Sequence, residues 1–117
     1  MNISIIRGDT AKFSFYRKDK DGHVILSQPE AIYFSVKNSP YESKTIIQKK
    51  LSDMEFDDET GKYTFYINPE YTNNLVYGTF DYDIEVKDTI DELQYTKTIA
   101  IGKFEIQKEI TFSSNEV

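Results

Sequence analysis

Three carboxylates at every second position, Asp81, Asp83 and Glu85 in GTFDYDIEVKD (78–88), are the residues of this sequence with the clearest capacity for chemistry. Together they could hold a hard cation through oxygen ligands, or two of them could act as the acid and base of a glycoside hydrolysis. A second acidic group, DKDGH (19–23), sets Asp19 and Asp21 ahead of a glycine and next to His23, the one histidine of the chain. As a calcium loop its spacing fails: Gly22 stands fourth where the sixth position is required, and the twelfth position, Glu30, follows an intervening Pro29. A single histidine gives neither a multi-ligand zinc site nor, without an activated hydroxyl beside it, a nucleophilic pair. The five glycines form no GxGxxG and no GxxxxGK[ST] phosphate cradle.

The element that carries the three carboxylates decides what they can do. Their partners in alternation are Phe80, Tyr82, Ile84 and Val86, so a pleat that buries the apolar set turns the acids to the opposite, wet face. An exposed strand face has no cavity to raise one carboxyl's pKa, and calcium usually wants loop carbonyls as well. The stripe is therefore expected to be a charged surface with no bound metal or cofactor, and the chain is expected not to be an enzyme.

The same period of two recurs along the chain, with little sign of a helical period. Phe13 and Phe15 alternate with Lys12 and Ser14; Ile32, Phe34 and Val36 with Tyr33, Ser35 and Lys37; Tyr63, Phe65 and Ile67 define a third stripe, and Phe104, Ile106, Ile110 and Phe112 a last one. Gly, Asn, Asp and Pro fall between these runs: Asp21-Gly22 predicts a hairpin turn and Gly61 a second turn. In NPEYTNNL (68–75), Asn68 as a cap and Pro69 at the first helical position predict the only helix, a short one near 69–75. Strands are expected near 2–6, 11–19, 31–38, 44–51, 53–57, 62–67, 78–87, 93–101 and 103–112. The expected fold is all-β: an immunoglobulin-like antiparallel β-sandwich of seven to nine strands in one domain, 1–112, followed by a frayed tail at 113–117.

Composition agrees and narrows the function. A chain of 117 residues is one domain by size, able to bury roughly two-thirds of its unfolded surface, and nine Tyr with eight Phe supply much of the core. There is no Cys, hence no disulfide framework and no thiolate metal site. Twenty acidic against fourteen basic residues, a net charge of −6, oppose the phosphate neutralisation on which nucleic-acid binding relies. The start, MNISIIRGD, meets a charge at Arg7 before a signal-peptide core can form, and no later run approaches a membrane span. Neither nucleic acid, membrane nor an export signal is expected.

Outward aromatics remain as candidate binding groups. Tyr16, Tyr33 and Tyr66 alternate with core residues, and Tyr41 sits in a loop-like stretch. Such rings either pair across strands, serve a subunit interface, or stack on sugars. Lys49-Lys50, in a strand expected at a sheet edge, is either a contact site or protection against edge pairing. The candidate interface set is thus Tyr16, Tyr33, Tyr66, Asp81, Asp83, Glu85, Lys49 and Lys50.

Three stretches, IIRGDTAKFSFYRKDKDGHVI, DETGKYTFYINPEYTNNLVYGTFDYDIEV and TIAIGKFEIQKEIT, give the chain a family likeness. Their order resembles the small immunoglobulin-like domain of tailed-phage structural proteins, in particular the N-terminal domain of baseplate upper proteins. The pattern is an Arg-Gly-Asp-Thr bend (Arg7–Thr10), a Lys-Asp-x-Asp-Gly hairpin (Lys18–Gly22), a G-x-F-x-Y-D-I strand (Gly78–Ile84) and a G-x-F-x-I strand (Gly102–Ile106). Arg7-Gly8-Asp9 is on this pattern the bend after the first strand, not an integrin-recognition tripeptide. Baseplate upper proteins are normally much longer than this chain. The resemblance implies a virion component of a phage or prophage tail or baseplate, made in the bacterial cytoplasm, with other tail proteins or copies of itself as partners. The rival expectations are a carbohydrate-binding module and an accessory immunoglobulin-like domain of a bacterial surface protein.

Overall fold

A computed structural model describes residues 2–72, 75 and 77–108. Among them are eight strands: β1 (Asn2–Ile6), β2 (Ala11–Tyr16), β3 (Ala31–Lys37), β4 (Ile47–Lys50), β5 (Glu55–Asp57), β6 (Lys62–Ile67), β7 (Gly78–Ile90) and β8 (Leu93–Gln107). They form a five-stranded sheet of order β1-β8-β7-β3-β4 and a three-stranded sheet of order β2-β6-β5. The protein is predominantly β, and its one α-helix among the described residues is the single turn α1 (Pro69–Thr72). Pro69 opens that turn, and the Asn68 carbonyl accepts from the Tyr71 amide at 3.0 Å. Ile110, Phe112 and the tail at 113–117 lie outside the described residues.

The period-two stripes become the core. Ile32, Phe34 and Val36 of β3, Tyr63, Phe65 and Ile67 of β6, Phe80, Tyr82, Ile84 and Val86 of β7, and Phe104 and Ile106 of β8 are all buried in one cluster. Aromatic rings join the two sheets: the Phe34 centroid lies 4.8 Å from that of Phe65, and Phe34 also meets Tyr82 and Phe104 on its own sheet. On the small sheet Tyr63 is held between Phe15, stacked at 5.0 Å, and Phe56 at 4.7 Å. Its hydroxyl is buried without a hydrogen-bond partner. Removing such a group recovers its desolvation penalty, so Tyr63→Phe is expected to stabilise the protein by about 1 kcal/mol, read as a higher denaturant midpoint at unchanged slope. A lower midpoint would show that the hydroxyl is satisfied in solution.

Three expectations need correction. The sheets are not wholly antiparallel: β1 runs parallel to β8, from Asn2 opposite Lys103 to Ile6 opposite Gln107. Alternation fixes which face a side chain takes, but it is blind to strand direction. Over the described residues the strands expected at 93–101 and 103–112 join in one continuous strand, β8, because Gly102 pairs with Tyr82 in mid-strand and not at a turn; 109–112 lie outside the described residues. Finally, a 3-10 turn (Leu51–Asp53) separates β4 from β5, closed by the Lys50 amide donating to Asp53 Oδ2 at 2.9 Å.

A bulge in β8 explains an otherwise irregular burial pattern. Ile84 pairs with Ala100 and Glu85 with Thr98, leaving Ile99 as the extra residue. Strict alternation would put Ile99 and Ile101 on one face. With the bulge, Ile99 packs against the core while Ile101 stays outward and 68% exposed. The β7–β8 hairpin closes through Asp91 (φ 52°) and Glu92 (φ 66°), both in the left-handed region that a two-residue type I′ turn requires.

Candidate functional site

The outer face of the five-stranded sheet collects most of the candidate residues. Alternation along β7 turns Asp81, Asp83 and Glu85 outward, and the cross-strand register gives each acid two neighbours. Asp81 lies between Lys37 and Lys103, Asp83 between Ser35 and Ile101, and Glu85 between Tyr33 and Thr98. Lys50 and Gln48 of β4 extend the Tyr33 and Ser35 rows. This face is less wet than the alternation alone predicts: all three acids are half-buried, because the β3–β4 loop (38–46) stands over it. Pro40 walls a depression over Asp81, Asp83 and Ile101, while Ser43 and Thr45 wall a second one over Tyr33, Asp83 and Glu85.

The electrostatics of the three acids differ. Lys103 Nζ donates to Asp81 Oδ1 at 2.6 Å, so that charge is compensated. Among the described residues no cation pairs with Asp83 or Glu85. Their flanks are a hydroxyl and an exposed isoleucine in one row, and a tyrosine ring and a threonine in the other. At the rim, Glu105 accepts from Gln107 and Ser4, and these hydrogen bonds hold its carboxyl below the usual range. Among the described residues the patch thus presents two unpaired negative charges beside an exposed aliphatic side chain, a combination that suits contact with a basic surface carrying an apolar group.

The remaining candidates disperse. Tyr33 shares the acidic face, with Lys87 Nζ 5.8 Å from its ring centre. Tyr16 and Tyr66 lie on the outer face of the other sheet, opposite Lys62 and Lys12 respectively, so the three rings form no common platform. Lys49 and Lys50 separate as consecutive strand residues must. Lys50 is exposed opposite Tyr33, whereas Lys49 is 8% exposed and points inward, its ammonium 4.1 Å from the Tyr71 ring. Of the two lysines, Lys50 is the one whose side chain is presented to solvent. An inward-turned lysine on an edge strand is one of the devices that discourage edge-to-edge pairing.

Two sequence motifs have structural work. Asp19 Oδ1 accepts from the amides of Asp21 and His23 at 2.9 and 3.0 Å, while Gly22, at φ 86°, donates its amide to the Asp19 carbonyl. The acidic side chains of DKDGH and His23 come within 4.8 Å of one another, all exposed, and the geometry is that of a turn followed by a left-handed glycine. In the Arg-Gly-Asp stretch, Arg7 Nη1 donates to the Leu75 carbonyl, its guanidinium lies 4.4 Å from the Tyr77 ring centre, and the Gly8 amide donates to Thr72 Oγ1. These contacts fasten the bend after β1 to the end of α1 and to Leu75 and Tyr77 beyond it.

Sequence reasoning passed over Lys37, Ile101, Lys103 and the loop that walls the acidic face. Only register brings them beside Asp81 and Asp83. Tyr41, which the sequence does place in a loop-like stretch, is 95% exposed at the tip of that loop. A scan against protein-family models gave no match, and neither did a search of curated proteins.

Proposed function

We propose that this protein is a non-enzymatic structural component of a phage or prophage tail or baseplate, built on an immunoglobulin-like β-sandwich and acting by protein–protein assembly. The observation that carries the reading is the outer face of the five-stranded sheet, where uncompensated Asp83 and Glu85 adjoin exposed Ile101 under a loop tipped by Tyr41. Two sheets sharing one aromatic core support the sandwich, and the stretches that carry the family resemblance fall on the bend after β1, the hairpin after β2, the start of β7 and the second half of β8. Assembly at many copies around an axis makes weak single contacts collectively strong, so a small acidic and apolar patch suffices. The partner surface is basic, on a neighbouring tail protein, and the site of action is the virion.

The test is mass spectrometry of phage-like particles sedimented from an induced culture of the source strain, with wild type and an Asp83→Lys, Glu85→Lys double variant. The wild-type chain is expected with tail proteins at several copies per particle, and the variant, folded by circular dichroism, at about one-tenth of that level or less, the size of effect that charge reversal at a contact produces. Particles that form without the wild-type chain would overturn the virion role. Equal incorporation of the variant would move the contact off this face.

A further inference from the structure

A different place in the molecule holds a buried cation with too few partners. Arg17 follows β2 on the inward side of that strand's alternation and is only 5% exposed. Its Nη2 donates to the Ser27 carbonyl at 2.6 Å, but Nε is buried with no hydrogen-bond partner, and no carboxylate pairs with the guanidinium among the described residues. Buried charges are normally paired, and an arginine's parallel N–H donors match the two oxygens of a carboxylate.

Arg17 lines a cavity of about 280 Å³ with Lys18, Asp19 and Ile25 on one side and Val86, Tyr95, Lys97 and Ile99 of β7 and β8 on the other. Three cations against one carboxylate face this space, a local reversal of sign in a chain whose net charge is −6. Its walls are otherwise aliphatic and aromatic, and its volume lies just below the usual range for drug-sized ligands, which suits a smaller one. We propose that this pocket binds a carboxylate carried on an apolar stem, with Arg17 taking the carboxylate, Lys18 and Lys97 closing over it, and Ile25, Val86 and Ile99 receiving the stem. Phosphate fits less well, since Asp19 at the same rim penalises a second negative charge and a bare anion leaves the apolar walls uncovered. The carboxylate belongs either to a free small acid or to the apolar C-terminal residue of another chain.

The experiment is a titration of the full-length, 15N-labelled protein followed by NMR, with four probes: hexanoate, inorganic phosphate, and a short peptide ending in leucine as its free acid and as its amide. Hexanoate is expected to give saturable shifts centred on Ile25, Val86, Tyr95, Lys97 and Ile99. Lys97→Ala, an exposed substitution that leaves the core intact, is expected to weaken this binding at least fivefold, and Arg17→Gln to abolish it. Tighter binding of the free-acid peptide than of hexanoate, with none by its amide, assigns the carboxylate to a chain terminus; the reverse order assigns it to a small acid. No saturable shift with any probe, shifts unchanged in Lys97→Ala, or phosphate binding as tightly as hexanoate would each overturn the proposal.

Discussion

Phe34→Ala is expected to be among the most damaging single substitutions in this protein, at about 3–5 kcal/mol. The residue is fully buried on β3, and its ring meets rings of both sheets: Phe65 of the small sheet at 4.8 Å, and Tyr82 and Phe104 of the large sheet at 5.7 and 6.2 Å between centroids. Truncation removes the transfer free energy of the ring and leaves a hole that three aromatics from two sheets must collapse into. They are rigid and held by different strands, so relaxation is incomplete and the cavity penalty stays high. Against a total stability of about 5–15 kcal/mol for a domain of this kind, much of the folded population at physiological temperature is at stake. Urea denaturation measures it, as a lower midpoint at unchanged slope. Phe13→Ala is the comparison: that ring is partly buried and its closest aromatic neighbour, Phe65, lies at 5.6 Å, so it is expected to lose less than half as much. Equal losses would mean that the small sheet, and not the contact between sheets, dominates stability.

The parts of this fold visible in the sequence are those that a period of two encodes. Ile32, Phe34 and Val36, or Phe80, Tyr82, Ile84 and Val86, declare both strand and buried face, and the structure buries every one of them. Pro69 and the glycines at 22 and 61 mark a helical turn and two left-handed positions, because those residue types answer to local backbone demands. Pairing is a different kind of information. Nothing local in NISII tells β1 to lie parallel to β8, and Gly102 has the same composition signal whether it turns the chain or passes through a strand. The Ile99 bulge is hidden for the same reason: it exists only relative to β7.

The candidate site follows the same division. That Asp81, Asp83 and Glu85 share a face is a property of one strand and was legible. That Asp81 is neutralised by Lys103 while Asp83 and Glu85 meet no cation among the described residues depends on which residues of β8 and β3 stand opposite, and these lie about twenty and fifty positions away in the chain. Lys49 shows the converse. As one of two consecutive lysines it reads as surface charge, yet the phase of β4, fixed by buried Ile47, sends it inward to the Tyr71 ring. Arg17 is hidden likewise, since its phase continues that of Phe13 and Phe15 past the end of β2.

Gly61→Ala is expected to cost about 2–4 kcal/mol, from two sources that a second glycine separates. Gly61 closes the β5–β6 turn at φ +79°, its amide donating to the Asp57 carbonyl at 2.7 Å, while the Asp57 carboxylate accepts from the Glu59 amide and is held below its usual pKa chiefly by that bond. An L-residue at this φ loses about 1–2 kcal/mol. In addition, a Cβ there would stand 2.5 Å from Val24 Cγ1 and 3.0 Å from the Ile25 carbonyl, so the 24–26 segment or the turn must move. Gly22 has nearly the same backbone, φ +86°, with open space where its Cβ would go, so Gly22→Ala bears the backbone term alone. The difference between the two midpoints in urea therefore measures how firmly the turn is packed against residues 24–26. A large difference means that this segment, which supplies Ile25 to the wall of the Arg17 pocket, is held in place by the β5–β6 turn. Equal losses would mean that it yields at little cost, and that the β5–β6 turn does not hold this wall of the pocket in place.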